Sequence, residues 1–184
     1  VGVGLIPGGA GTKEFALRAS DAFHEGDVKI PTLIEKFKTI ALASVATSAH
    51  EAFNHGYLLD KKDHVVVNVD RNIAEAKKKV LDLAENYIQP IQRTDVHVLG
   101  RGGLASLYAA ANELFLGNYA SEHDIKIAHK VAWVLCGGDL TGEQKVSEQY
   151  LLDLEREAFL SLCGEKKTLE RIQHMLQTNK PLRN

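Results

Sequence analysis

The side chains best suited to chemistry in this 184-residue chain are histidines that lie near carboxylates. His50, Glu51 and His55 come close to the HExxH zinc motif of metalloproteases, but that motif places its second histidine four residues after the first. Residues five apart point roughly 140° away from each other on an α-helix, so His50 and His55 do not share a face. His123 and His129 lie on different helix faces for the same reason. We therefore predict no metal site.

The sequence also offers no recognisable setting for a covalent nucleophile. The G-x-S-x-G elbow does not occur, and Cys136 and Cys163 are far apart, without a CxxC partner. Both cysteines fall on predicted apolar helix faces, which is typical of reduced core thiols. Glu51 is predicted to cap its own helix, and Glu14 to compensate the dipole of a first helical turn. We assign neither carboxylate an acid–base role.

The glycine loop, which we define as residues 1–14, is the strongest local signal. It holds five glycines and Pro7 between an apolar run and a helix start. Glycine admits positive φ and close backbone contacts while proline restricts φ, so we predict a shaped loop that borders a site. A phosphate-binding loop is excluded, because Ala10 and Gly11 stand where Lys and Ser or Thr belong. A dinucleotide fingerprint is excluded, because Pro7 occupies the position of its third glycine.

Composition and charge narrow the class of protein. An apolar content of 45% is enough for a buried core, so we expect a globular chain of one domain, or a core with a helical extension. A net charge of −2 argues against nucleic acid as a partner, because few phosphates could be neutralised. No apolar stretch approaches the roughly 20 residues of a membrane span, and no signal peptide is visible. We predict a cytoplasmic protein.

The hydrophobic spacing predicts a mainly α fold with at most one or two short strands. Helices are indicated by apolar residues three and four apart, by capping residues and by closing glycines. They are expected to begin near Thr12, Pro31, Ser48 (in a capping box with Glu51), Asp70, Leu104, Ser121, Glu143 and Thr168. The long helix from Glu143 to Cys163 is expected to turn Asp153, Glu155, Arg156 and Glu157 towards water.

The strand and domain boundaries follow from the remaining segments. The run His64 to Val69 is rich in β-branched residues and too short for a helix, so it is predicted to be a strand. Three glycines, at 100, 102 and 103, follow an irregular stretch and predict a flexible joint over residues 92–103. The joint would separate a core portion, residues 1–91, from a C-terminal helical sub-domain, residues 104–184.

Two segments resemble the crotonases, the enoyl-CoA hydratase/isomerase family. Gly4-Leu-Ile-Pro-Gly-Gly-Ala-Gly-Thr12 is similar to the G-x-x-P-G-x-G-G-T segment of that family, with Ala10 in place of a glycine. Ser48-Ala-His-Glu-Ala-Phe-Asn-His-Gly-Tyr-Leu58 is similar to the downstream signature S-A-x-E-A-x-x-x-G-L-V, with Tyr57 in place of Leu. The resemblance implies the distal, mainly helical portion of a crotonase-like domain.

The last third of the chain resembles the C-terminus of bacterial 3-hydroxyacyl-CoA dehydrogenases that carry a crotonase module. Leu154-Glu-Arg-Glu-Ala-Phe159 and Leu169-Glu-Arg171 carry this resemblance, together with Lys180-Pro-Leu-Arg-Asn184. It implies a fragment of a fatty-acid β-oxidation enzyme that acts on coenzyme A thioesters, with NAD as a cofactor of the intact parent. The rest of the parent polypeptide and acyl-CoA would then be partners of this chain.

The crotonase resemblance also implies where the chemistry lies. In that family a catalytic glutamate precedes the first glycine of the loop by four residues, which is the position before Val1. The oxyanion-hole amides and the other acid–base carboxylate lie further upstream, so we expect no catalytic side chain here and no activity of this chain alone. The backbone N–H of Gly8 is the one group that the resemblance assigns, as a contact to a water or substrate oxygen. The alternative interpretation is a helical assembly module, and in either case we expect a homodimer.

Overall fold

The computed structural model describes residues 2–184, and these form a mainly α structure, as predicted. Eight α-helices occur in the described part: α1 (Gly11–Asp21), α2 (Lys29–Ala41), α3 (Ala49–Asn54), α4 (Asn72–Ala84), α5 (Gly100–Leu116), α6 (Glu122–Leu135), α7 (Glu148–Cys163) and α8 (Lys166–Thr178). Two three-residue strands, β1 (Val96–Val98) and β2 (Gln144–Val146), and a 3-10 turn (Val69–Arg71) complete it. The chain divides into two compact units: residues up to 44 together with 93–184, and residues 45–92.

The core of the larger unit is built around α6. This helix packs against α1, α2, α5 and α7. Its apolar residues recur three and four positions apart, so Ile127, Val131 and Val134 face inward and are fully buried. Leu107 of α5 and Leu151 of α7 meet them from the neighbouring helices and are also fully buried. Burying each such side chain contributes about 1.5–3 kcal/mol, which makes α6 the element on which this unit depends.

The two strands form an antiparallel pair in which Val96 lies opposite Val146 and Val98 opposite Gln144. The predicted strand at His64 to Val69 is therefore wrong, because the structure has coil there, followed by the 3-10 turn. A β-branched run becomes a strand only where a second strand takes up its backbone groups. Val96–Val98 has that partner, whereas Val67 is 94% exposed.

The segment predicted to be a flexible joint, residues 92–103, contains β1 and the first turn of α5. Gly100 has φ +57°, and a Cβ on it would lie 2.5 Å from the carbonyl oxygen of Gly142. A Cβ on Gly103 would lie 2.6 Å from the Leu99 Cβ. Gly100 and Gly103 allow neighbouring atoms to pack closely against their backbone. The sequence had instead predicted that they make the segment flexible. The sub-domain boundary itself stays a prediction.

Two helix boundaries also differ from expectation. Helix α7 begins at Glu148, later than the predicted Glu143, because residues 144–146 pair with β1. Helix α2 ends at Ala41, although the apolar spacing that begins near Pro31 continues through Ala46, and Val45 is 79% exposed.

The smaller unit contains α3, the 3-10 turn and α4. The predicted cap at Ser48 is confirmed, since its Oγ accepts a hydrogen bond from the Glu51 N–H at 3.1 Å. The Glu51 carboxylate accepts from the N–H and hydroxyl of Thr47 rather than from Ser48, so the reciprocal half of the box is shifted by one residue. The apolar stripe of α4 is exposed, with Ile73 at 85% and Val80 at 63%.

Candidate functional site

The glycine loop is anchored on α8 at its start. Gly4 has φ +88°, and a Cβ there would lie 2.8 Å from the Thr168 Cα, so this position requires glycine. The Thr168 hydroxyl donates to the Gly4 carbonyl oxygen at 2.8 Å, and Ile6, two residues further on, is buried. The start of the loop is therefore held by a buried hydrogen bond and a buried side chain.

A histidine completes this anchor. His123 Nε2 lies 2.9 Å from the Thr168 Oγ1, and His123 is 3% exposed. Because the Thr168 hydroxyl proton goes to Gly4, the imidazole must be the donor, so Nε2 carries its proton. Burial, together with the nearby Arg171 charge, lowers the pKa of His123, which favours the neutral ring. His123 is thus a structural residue that holds the loop to α6.

Gly8, the one position that the sequence assigned, lies exposed at the tip of the loop. A Cβ on Gly8 would lie 2.3 Å from Cδ2 of Phe159, so a side chain at this position would require the Phe159 ring to shift. Within residues 2–184, the Gly8 N–H donates to no acceptor. A cleft of about 220 Å³ opens beside it, between the loop and α7. A free backbone N–H at such a cleft can donate to an oxygen of a bound molecule.

The loop ends on a carboxylate that sequence analysis missed. Glu155 of α7 is 2% exposed; its Oε1 accepts from the Ala10 N–H at 2.6 Å, and its Oε2 from the Lys13 N–H at 2.8 Å. Ala10, at the N-cap position of α1, has φ +68° and makes no side-chain cap. Glu155 therefore caps α1 from a distant part of the chain, which is the role expected of Thr12.

The expectation that Glu155 faces water is wrong. Its spacing on α7 could have revealed this burial, because Glu155 lies one helical turn after Leu151 and next to Leu154, both of which are buried. Burial raises the pKa of Glu155, although the N–H groups of the loop and the nearby Lys13 charge act in the opposite direction. The positive end of the α1 dipole offers the same stabilisation to the charged form.

Glu14, the other carboxylate near the loop, belongs to a salt-bridge cluster. Lys13 Nζ lies 2.6 Å from Glu14 Oε1 and 2.7 Å from Glu148 Oε1, and the Lys13 side chain is only 6% exposed. Burial lowers the pKa of Lys13, but the hydrogen bonds and charges of the two glutamates outweigh it and raise the pKa. Glu148 also accepts from the Arg93 N–H at 3.2 Å. The cluster joins α1, α7 and the segment before β1, so Glu14 has a structural partner here.

A buried arginine, Arg171, joins α8 to the start of α6. Arg171 is 1% exposed; it donates to Asp124 Oδ1 at 2.6 Å and to Asn184 Oδ1 at 2.8 Å. Asp124 and Ser121 form a capping box at the start of α6. Asp124 therefore both caps α6 and forms an ion pair with the buried guanidinium of Arg171.

The histidines and cysteines considered in the sequence analysis have separate partners and do not form a common site. His55 Nε2 lies 3.6 Å from Glu51 Oε1 on the same short helix, and the His129 ring stacks on Tyr108 with the ring centroids 4.0 Å apart. Burial raises the pKa of Cys136 to about 12, so its thiol is a poor nucleophile. In the part of the chain that the structure describes, no group of three or more His, Cys, Asp or Glu side chains could hold a metal ion.

Comparison with known proteins adds one relative. The chain is 43% identical over 183 residues to a protein of Bacillus subtilis (strain 168) named "Probable 3-hydroxyacyl-CoA dehydrogenase". The match covers 100% of this chain but only 23% of that protein, so the chain spans about a quarter of its relative's length. No protein-family profile and no solved structure matches the chain. None of the helices formed by residues 2–184 has both the length and the apolar character to cross a bilayer.

Proposed function

We propose that this chain is the C-terminal segment of a crotonase-type module in a polypeptide of the 3-hydroxyacyl-CoA dehydrogenase type. The intact protein would act on enoyl-CoA or 3-hydroxyacyl-CoA thioesters in fatty-acid β-oxidation. The similarity to the Bacillus subtilis protein along the whole chain supports the parentage. The single observation that supports the module is the loop tip, where the free N–H of Gly8 meets an open cleft.

In this proposal the chain contributes a hydrogen-bond donor and a rigid platform. The Gly8 N–H would donate to the oxygen of the nucleophilic water or of the thioester, where negative charge develops. Proton transfer would fall to glutamates outside this chain, since Glu14 and Glu155 are both engaged in the structure. NAD would serve the dehydrogenase part of the parent and supply hydride transfer there.

The competing proposal is an assembly module without catalytic or coenzyme A contacts of its own. The exposed apolar stripe of α4 favours it, because Ile73, Val80 and Leu83 are each more than half exposed. Contiguous apolar surface of a few hundred Å² commonly marks a protein interface. A homodimer through this stripe is also compatible with the first proposal.

The test compares the full natural polypeptide that contains this chain with the 184-residue chain itself. Hydration of crotonyl-CoA is followed by the loss of its conjugated thioester absorbance, and binding of coenzyme A by calorimetry. We expect turnover by the full polypeptide and none by the chain alone, because the acid–base groups lie outside it. Turnover by the isolated chain would refute the proposal that the acid–base groups lie outside it. A full polypeptide that neither hydrates crotonyl-CoA nor binds coenzyme A through this segment would favour the assembly module.

A further inference from the structure

The backbone of the glycine loop is bound by a residue more than 140 positions away along the chain. Glu155 Oε1 takes the N–H of Ala10, and Oε2 takes the N–H of Lys13. Two residues before Ala10, the N–H of Gly8 has no acceptor within the described residues 2–184. The carboxylate therefore fixes the backbone of the loop two residues after the Gly8 amide.

Helix α7 holds the loop at two points one turn apart. Glu155 binds the backbone at Ala10 and Lys13, and Phe159 lies against the backbone of Gly8, close enough to exclude a Cβ. Residues four apart on a helix lie on the same face, so the polar and the aromatic contact act together. The tip of the loop has little else to fix its shape, since Gly8 and Gly9 are exposed.

We propose that Glu155 is a positioning residue: its carboxylate fixes the glycine loop so that the Gly8 N–H stays available to an oxygen of the bound thioester. This inference rests on the proposed crotonase-type function. Glu155 itself touches no substrate in it. It lines the cleft beside Gly8, but it is only 2% exposed and both of its oxygens are used by the backbone.

The chemistry of the contact makes glutamine a stringent test. The groups at Ala10 and Lys13 from which Glu155 accepts are backbone donors, and a carboxylate offers two acceptor oxygens. A carboxamide of the same shape offers one oxygen and one NH2 group, so Glu155→Gln leaves one loop N–H facing another donor. Asp at this position keeps the charge but is one methylene shorter, so it can retain only part of the contact. Glu157 is exposed on the same helix, and Glu157→Gln removes the same charge without touching the loop.

The experiment uses the full natural polypeptide and measures kcat and KM for crotonyl-CoA, together with amide hydrogen exchange of the peptide that covers residues 8–13. For Glu155→Gln we expect kcat to fall about 10- to 100-fold with KM changed less than about threefold, since a small misplacement of a catalytic group is that costly. Exchange in residues 8–13 should become faster, while Glu157→Gln matches the wild type in both readouts. For Glu155→Asp we expect a kcat and an exchange rate between those of Glu155→Gln and the wild type. This variant replaces Glu155→Gln in the comparison if the glutamine variant folds poorly.

The outcomes separate this inference from the function on which it rests. Faster exchange with an unchanged kcat would mean that Glu155 only stabilises the fold, and would overturn the inference. Unchanged exchange would overturn it as well, because the loop would not depend on the carboxylate. A wild-type polypeptide without activity on crotonyl-CoA would instead refute the proposed function, and the inference would fall with it.

Discussion

Replacing Arg171 with methionine measures what the buried ion pair between α8 and α6 contributes to stability. Methionine keeps an unbranched apolar stem, although a shorter one, and removes the guanidinium from which Asp124 Oδ1 accepts at 2.6 Å. Breaking a buried pair by removing one partner costs about 3–5 kcal/mol, because the other charge is left uncompensated. Asp124 is 16% exposed and accepts from the Ser121 N–H at 2.9 Å, so part of its charge stays satisfied. We therefore expect a loss at the low end of that range, about 3 kcal/mol.

The assay is urea unfolding of the 184-residue chain followed by the fluorescence of Trp133. This is the only tryptophan of the sequence, and it lies on α6, so it reports on the larger unit. Arg156→Met is the matched control, because Arg156 and Asp153 form an Arg–Asp pair at 2.9 Å with both side chains more than half exposed. Exposed pairs of this kind contribute up to about 0.5–1 kcal/mol. An equal loss of unfolding free energy in Arg171→Met and Arg156→Met would refute the claim that burial makes the Arg171–Asp124 pair the more stabilising one.

The same pair predicts a pH dependence with a definite sign. Burial raises the pKa of Asp124, but the Ser121 and Arg171 hydrogen bonds outweigh it and lower the pKa below its usual value. The stabilisation is present above the unfolded-state pKa of about 3.9 and is lost as the pH falls through the lower folded-state value. The difference between wild type and Arg171→Met should therefore shrink on acidification. A difference that is constant from neutral to strongly acidic pH would contradict this assignment.

Three further predictions follow from the loop and the exposed stripe. Gly8→Ala should destabilise the chain by about 1–3 kcal/mol in urea unfolding, because its Cβ would lie 2.3 Å from Phe159, and adding Phe159→Leu should recover part of the loss. His123, whose pKa is lowered by burial, should make stability fall as the pH drops from about 6.5 towards the folded-state value, and His123→Asn should reduce that slope to the part that His129, whose pKa burial also lowers, contributes. Val80→Asp should weaken self-association in light scattering at micromolar concentration, since Val80 is 63% exposed on the apolar stripe of α4, and an unchanged mass would exclude this stripe as the interface.

Local sequence signals determined most of the helices. Apolar residues three and four apart, with Ser48 and Ser121 as caps, predicted α3 and α6 close to their observed starts. These signals act through hydrogen bonds and contacts within one or two turns, so they can be recognised without knowledge of the fold. The glycine loop was recognised for the same reason, since Gly4 has a backbone conformation that other residues rarely adopt.

Pairing between distant segments was decided only by the tertiary structure. Val96–Val98 is a strand because Gln144–Val146 lies beside it, whereas the more β-branched run at His64 to Val69 has no such partner among the described residues. Leu169 and Leu176 on α8 are apolar yet exposed, while Arg171 on the same helix is buried. An arginine can be buried when Asp124 and Asn184 meet its donors, and neither lies on α8.

What the sequence determined by itself is the helical class and the presence of the glycine loop, whereas the role of Gly8 stays a prediction. The tertiary structure added Glu155 and His123, which hold the two ends of that loop from α7 and α6. Glu155 lies 145 residues from Ala10 along the chain, and its local pattern of charges is that of a solvated helix face. Only the packing of α7 against α1 removes it from water and gives its oxygens two backbone donors, because a buried carboxylate is stable only where such partners meet it.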